Sequence, residues 1–154
     1  MRYGHEGSRH PTINEKGIYG FFDDYRFLSN FQLCPVELDG RKFNCSEAAY
    51  MSCKTTDDKI KDLFVGDLHP AKYKKLGNEI VLRPDWEVVK VLEMTRVVYA
   101  KYSQNFILGR ALKLTDGLYL EETNDWGDRF WGADVFGSGH NMLGKTSMFV
   151  RDIL

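Results

Sequence analysis

Pro35-Val36-Glu37-Leu38-Asp39-Gly40-Arg41-Lys42-Phe43-Asn44-Cys45-Ser46-Glu47-Ala48-Ala49-Tyr50-Met51-Ser52-Cys53-Lys54 changes character half-way along its length. Up to Phe43 it consists of two short extended runs joined by Asp-Gly, the pair that most readily takes up the positive φ angles of a tight hairpin turn. From Asn44 to about Lys54 the pattern is helical. A hairpin that feeds a helix, with more helices to follow, predicts an α+β fold: a helix-dominated single domain with a small antiparallel sheet.

Helices are expected next over 57–64 and 69–76, the latter stopped by Gly77. A long helix should begin at Pro84, whose missing N–H suits a first turn. In it Val88, Val91, Leu92, Thr95, Val98, Tyr99 and Tyr102 recur at helical spacing and predict the core face, with Trp86, Lys90, Glu93 and Val97 opposite. A helix over 105–113, a strand over 118–121 and a closing helix over 143–153 complete the expectation. Upstream of the hairpin, Ile18, Phe21, Phe22, Phe27, Leu28 and Phe31 form an aromatic-rich stretch, whereas residues 1–17 are polar and read as a flexible arm. The domain then spans 18–154.

At 154 residues the chain is sized for one core. Its formal net charge of -1 excludes a strongly basic nucleic-acid-coating protein. Three cysteines, Cys34, Cys45 and Cys53, are odd in number and lack zinc-ligand spacing, which points to free thiols in the cytosol. No apolar run is long enough for a membrane span. Neither a metal nor another cofactor is expected, because no His, Cys and carboxylate cluster has metal spacing.

The chemistry concentrates in two places. Glu47, Tyr50 and Lys54 stand at i, i+3 and i+7, so an acid, a phenol and a cation share one helix face. The competing reading is a capping box, in which Glu47 closes on the helix start at Asn44. The second place is EETNDWGDRFWGADVFGSGHNMLG, residues 121–144, where acids and indoles alternate on a turn-rich segment suited to a ring-bearing ligand. Its end, Gly139 to Thr146, satisfies the Walker A string. The expected strand and magnesium-binding Asp are missing around it, so nucleotide hydrolysis is not expected, but a Gly-rich turn into a helix N-terminus favours an anion.

Phe27-Leu28-Ser29-Asn30-Phe31, Ser46-Glu47-Ala48-Ala49-Tyr50-Met51 with Lys54, Trp86 with Lys90 and Met94, Glu122 through Asn124, Trp126, Asp128, Phe130-Trp131-Gly132, Asn141-x-Leu143-Gly144 and Met148-x-x-Arg151 follow one another in the order of a known family. The chain resembles the NADAR superfamily, the YbiA-like N-glycosidases, from about Ile18 to its end. That resemblance implies hydrolysis of a ribose–nitrogen bond, in which positive charge builds on the sugar and a carboxylate stabilises it or activates water. It implies Glu47 as the principal carboxylate and Asp128 as its partner. Trp131 would stack on base or ribose with Trp86 flanking, and Tyr50 would serve as wall. Lys54, Arg151 and the turn to Gly144 are phosphate candidates, while Asn30 and Asn141 either bind ribose hydroxyls or tie loops. The general acid stays open, because Gly127 and Ala48 stand where relatives often carry His.

Within this resemblance the expected substrate is a phosphorylated N-riboside, with removal of ADP-ribose from guanine in nucleic acid favoured. Single-stranded DNA is a candidate partner through Lys72, Lys74 and Lys75. The alternatives are phosphorylated ribosylamino-pyrimidine intermediates of riboflavin synthesis, and a module that binds ADP-ribose or a nucleotide without cleaving it.

Overall fold

The computed structural model describes residues 9–154. Among these described residues five strands and six α-helices follow in the order β1 Thr12–Ile13, β2 Gly17–Tyr19, β3 Leu33–Leu38, β4 Arg41–Cys45, α1 Ser46–Ser52, α2 Asp58–Lys61, α3 Pro70–Glu79, α4 Trp86–Gln104, α5 Phe106–Lys113, β5 Tyr119–Glu121 and α6 Met142–Ile153. Two compact units result. One is residues 30–109, and the other joins the described residues up to Ser29 with 110–154. Among the described residues no helix is long and apolar enough to cross a membrane.

In the unit of residues 30–109 the expected hairpin is present. β3 and β4 pair antiparallel from Leu38↔Arg41 back to Leu33↔Cys45 with one irregularity. Asp39 and Gly40 take φ of 50° and 79°, as a two-residue turn with the twist of its strands requires. Strand passes into helix without a loop, so α1 begins at Ser46 and not at Asn44. Its start is capped by the Cys45 thiol, whose Sγ accepts from the Ala48 N–H at 3.4 Å. Asn44 stays in the strand and sends Nδ2 to the Leu68 carbonyl. The capping-box reading of Glu47 therefore fails.

Two further expectations change in this unit. Gly77 lies inside α3 and does not stop it: a Cβ there would stand 2.1 Å from Met51 Sδ and 2.9 Å from Met51 Cβ. The glycine is the notch that lets α1 approach α3. Helix α4 starts at Trp86, after a turn in which the Trp86 N–H bonds the Arg83 carbonyl, and the expected faces are largely exchanged. Val88, Leu92 and Tyr99 are exposed, whereas Trp86, Glu93, Met94, Val97 and Lys101 are buried with Val98 and Tyr102. Burial of Glu93 is made tolerable by Arg96 Nη1 at 2.6 Å and Arg83 Nη1 at 3.6 Å.

In the other unit, β2 pairs antiparallel with β1 and parallel with β5, which adds a three-stranded mixed sheet to the hairpin. Of the arm expected over 1–17, residues 1–8 lie outside the described residues. Thr12–Ile13 and Gly17 belong to the ladder, closed by Asn14 Oδ1, which accepts from the N–H groups of Lys16 and Gly17. Strands this short carry no readable period. Ile18, Leu120, Leu143 and Val150 are fully or almost fully buried in this unit.

Candidate functional site

In the 30–109 unit the candidate residues gather around α1. Glu47 is only 6% exposed, and its N–H bonds the Asn30 carbonyl at 3.0 Å. Ser46, fully buried, sends Oγ to Asn30 Oδ1 at 3.0 Å, and Asn30 Nδ2 in turn reaches Met94 Sδ at 3.4 Å. Asn30 thus fixes the first turn of α1. Tyr50 and Trp86, both buried, pack with ring centroids 5.3 Å apart and form a wall behind that turn. Lys54 Nζ rests on α3, donating to the Gly77 carbonyl at 3.3 Å and to Asn78 Oδ1 at 3.2 Å. Burial pulls its pKa below the ordinary lysine value, Glu47 opposes that and Lys74 adds to it.

The other unit holds, by itself, a preformed turn. Asp128 Oδ1 accepts from the N–H groups of Phe130 at 3.3 Å and Trp131 at 3.0 Å. Asn124 closes the loop from the far side, accepting from the Asp128 N–H at 3.1 Å and donating to the Asp128 carbonyl at 2.7 Å. Trp131 meets Phe130 edge-on, with centroids 4.9 Å apart. Trp126 is 46% exposed, with the Arg9 guanidinium 5.3 Å from its ring. Nearby, Glu121 is buried and accepts from Thr123 Oγ1 at 2.7 Å.

The C-terminal candidates have structural partners. The N–H groups of His140, Asn141, Met142 and Leu143 bond the carbonyls of Arg129, Gly132, Phe130 and Trp131 at 2.8–3.0 Å. The N–H groups of Asn141, Met142 and Leu143, which a phosphate at this helix start would seek, are thereby already taken. Gly144 is a close-approach position, since a Cβ there would stand 2.1 Å from the Leu120 carbonyl oxygen. Asn141, in the left-handed region at φ 49°, ties its turn to the β5 segment by three bonds: Nδ2 donates to Tyr119 Oη and the Leu120 carbonyl, and Oδ1 accepts from the Glu122 N–H. Arg151 is buried with Nη1 on the carbonyls of Thr115 and Leu118. The N–H groups of residues 140–143 and Nη1 of Arg151 are thus engaged by main-chain carbonyls, and Asn141 ties its turn to residues 119–122.

A family model described as the NADAR domain matches residues 16–154. The chain belongs to the NADAR family. N-glycosidase YbiA of Escherichia coli is 31% identical over 139 residues, 89% of this chain and 86% of that protein. An N-glycosidase of Nostoc punctiforme is 30% identical over 140 residues, covering 88% and 89% of the two. A riboflavin biosynthesis protein of Vibrio vulnificus is 32% identical over 147 residues, 93% of this chain and 40% of that longer one. The NMR structure of E. coli YbiA superposes with a TM-score of 0.81 at 28% identity, over 96% of this chain and 89% of that one.

Within this NADAR domain, sequence reasoning missed the residues that act through others. Ser46 and Cys45 flank Glu47 but read as ordinary small residues, because their partners, Asn30 Oδ1 and the Ala48 N–H, become visible only once the strand and helix are placed. Asn124 carried the stronger signal: four residues before Asp128 in a glycine-rich turn, an amide side chain is well suited to bonding the main chain of the residue ahead.

Proposed function

We propose that the chain cleaves the bond between ribose and a base nitrogen in a phosphorylated N-riboside, with ADP-ribose on guanine in nucleic acid as the substrate. Membership of a family whose relatives of similar length are named N-glycosidases makes it a hydrolase acting on N-glycosyl bonds. The observation that carries the mechanism is Glu47. It is a buried carboxylate on a helix whose capping is done by Cys45, with its main chain held by Asn30. Helix initiation does not require an acid there. In a poorly solvated setting its negative charge is worth far more to a developing oxocarbenium ion than it would be in water. Asp128 Oδ1 is engaged by the turn, so the proposed contact to a ribose hydroxyl or the attacking water falls to Oδ2.

The exposed Trp126 indole and the Trp131 ring offer two aromatic faces in one turn, which supports a substrate carrying more than one base. The name of the Vibrio relative favours a second reading, a phosphorylated ribosylamino-pyrimidine of riboflavin synthesis. The test measures release of ADP-ribose from guanine-modified single-stranded DNA across a salt series, beside release of ribose 5-phosphate from the pyrimidine compound. Glu47→Gln should fold normally and lose roughly a hundredfold or more of turnover on the preferred substrate. Turnover of the pyrimidine alone would move the assignment to the second reading, and a Glu47→Gln protein at full rate would remove the carboxylate mechanism.

A further inference from the structure

Leu38↔Arg41, Glu37↔Lys42 and Val36↔Phe43 share one register in the hairpin, and the same register carried back along β3 sets Cys34 opposite Cys45. A one-residue slip beyond Val36 makes Leu33, the neighbour of Cys34, the ladder partner of Cys45. Burial shows which side chains face each other. Leu33 and Pro35 are exposed, whereas Cys34 and Val36 on β3 and Phe43 and Cys45 on β4 are buried. Leu33 therefore turns outward, and Cys34 is the inward side chain beside Cys45. An offset of at most one residue from a ladder partner leaves the two Cα atoms roughly 5–6.5 Å apart, inside the roughly 4.4–6.8 Å that a disulfide spans. Both thiols are reduced. Cys34 also lines the open cleft of about 550 Å³ with Leu33, Pro35, Lys42 and Val65, whereas Cys45 is fully buried and its Sγ accepts from the Ala48 N–H at the start of α1.

We propose that Cys34 is a site of reversible modification by low-molecular-weight disulfides entering the cleft, and that Cys45 resolves the adduct to a Cys34–Cys45 disulfide across the hairpin. The Cys34 thiol loses its proton and attacks one sulfur of the reagent, whose S–S bond breaks and whose other half leaves as a thiol. Cys45 then loses its proton and attacks the Cys34 sulfur, releasing the second half as a thiol. The two protein thiols are oxidised by two electrons, the reagent is reduced by two, and the two protons end on the released thiols. Lys101 favours the Cys34 thiolate against the burial that holds its proton, consistent with Cys34 attacking first. To bond across the hairpin, Cys45 Sγ must turn from the Ala48 N–H. The disulfide thus withdraws the cap of the helix that carries Glu47 one turn from its start. Its effect on turnover rests on the reading of Glu47 as the working carboxylate; the cross-link does not.

The test incubates the folded full chain with oxidised glutathione and digests it with trypsin without reduction. Arg41 and Lys42 lie between the two cysteines, so cleavage puts them in separate peptides, 27–41 and 43–54. Wild type and Cys53→Ser should both give these peptides joined, dithiothreitol should part them, Cys45→Ser should stop at a glutathione adduct on Cys34, and Cys34→Ala should give neither. Oxidised wild type should lose roughly tenfold or more of its turnover and regain it on reduction, while Cys34→Ala keeps its rate under the same treatment. No cross-link in the folded wild type, one that needs urea to form, or one lost in Cys53→Ser would each overturn the site. A cross-linked protein at full rate would overturn the coupling to Glu47. If the cross-link forms but the reduced protein cleaves no N-riboside, the function falls and the modification site stands.

Discussion

Asp128 shows how one side chain can serve structure and chemistry through different atoms. Oδ1 gathers two main-chain N–H groups of the turn, a task an amide oxygen performs as well as a carboxylate. Asp128→Asn should therefore melt close to wild type, while Asp128→Ala leaves those donors unpaired in a half-buried turn and should cost about 1–3 kcal/mol, or a few degrees in Tm at about 2–4 °C per kcal/mol for a chain of this size. Activity divides the roles differently. Loss of turnover in the Asn variant as well as the Ala variant assigns the charge to the reaction, and full turnover in Asp128→Asn would leave Asp128 as a turn residue only. Lys145 provides the contrast. It is exposed on α6, beyond a helix start whose first N–H groups are occupied, so Lys145→Ala should leave substrate KM and kcat unchanged, and a raised KM would restore the anion reading of that turn.

At the level of elements, two glycines set how closely segments approach, and the atoms they spare differ. An Ala Cβ at Gly144 would meet the Leu120 carbonyl oxygen at 2.1 Å and the Asn141 amide at 2.5 Å, whereas at Gly77 it would meet the flexible Met51 side chain. Backbone cannot step aside as a thioether can. Gly144→Ala should destabilise by more than the roughly 1–3 kcal/mol usual for overpacking, and Gly77→Ala by less than Gly144→Ala, partly offset by better helix propensity; denaturant midpoints that reverse this order would refute the packing account. Elements of this kind were unevenly legible in the sequence. The Asp39-Gly40 hairpin and the Glu47 helix could be read because their signals are local. The buried face of α4 could not, because Glu93 is reconciled to burial by Arg83 and Arg96, and Arg96 also reaches Asp39 across 57 positions of chain. Periodicity registers that such a helix has two faces and favours the more aliphatic one, Val88, Leu92 and Tyr99, which is the exposed one. The partners of Asn141 and Arg151 were illegible for a related reason: the carbonyls they hold belong to residues 115–120, distant in sequence.

Across the molecule the three thiols are all reduced, buried and confined to residues 30–109, which makes them reporters of that unit in the intact chain. Cys34 alone lines the open cleft of about 550 Å³ bounded by Leu33, Lys42, Phe43 and Val65, and burial raises its pKa while Lys101 lowers it. Cys45 is pushed up to about 11 chiefly by burial, and Cys53 to about 12 by burial and then by the negative charge of Glu93. Since the thiolate is the reactive form, native protein at pH 8 should label first and slowly at Cys34, with Cys45 and Cys53 silent until denaturant is added. The same shifts couple to stability. In the unfolded chain these thiols ionise near their ordinary value of 9.0, whereas the folded chain keeps them protonated, so between those limits the native state binds more protons than the unfolded one. Their contribution is complete below pH 9 and is lost as pH rises towards about 11 for Cys45 and about 12 for Cys53. Urea melts at pH 8, 9.5 and 10.5 should therefore show wild-type stability falling more steeply than that of Cys53→Ala, by at most one proton's worth of slope. Parallel slopes in the two proteins would mean that Cys53 is not held protonated by its surroundings, and that the alkaline loss arises from other groups.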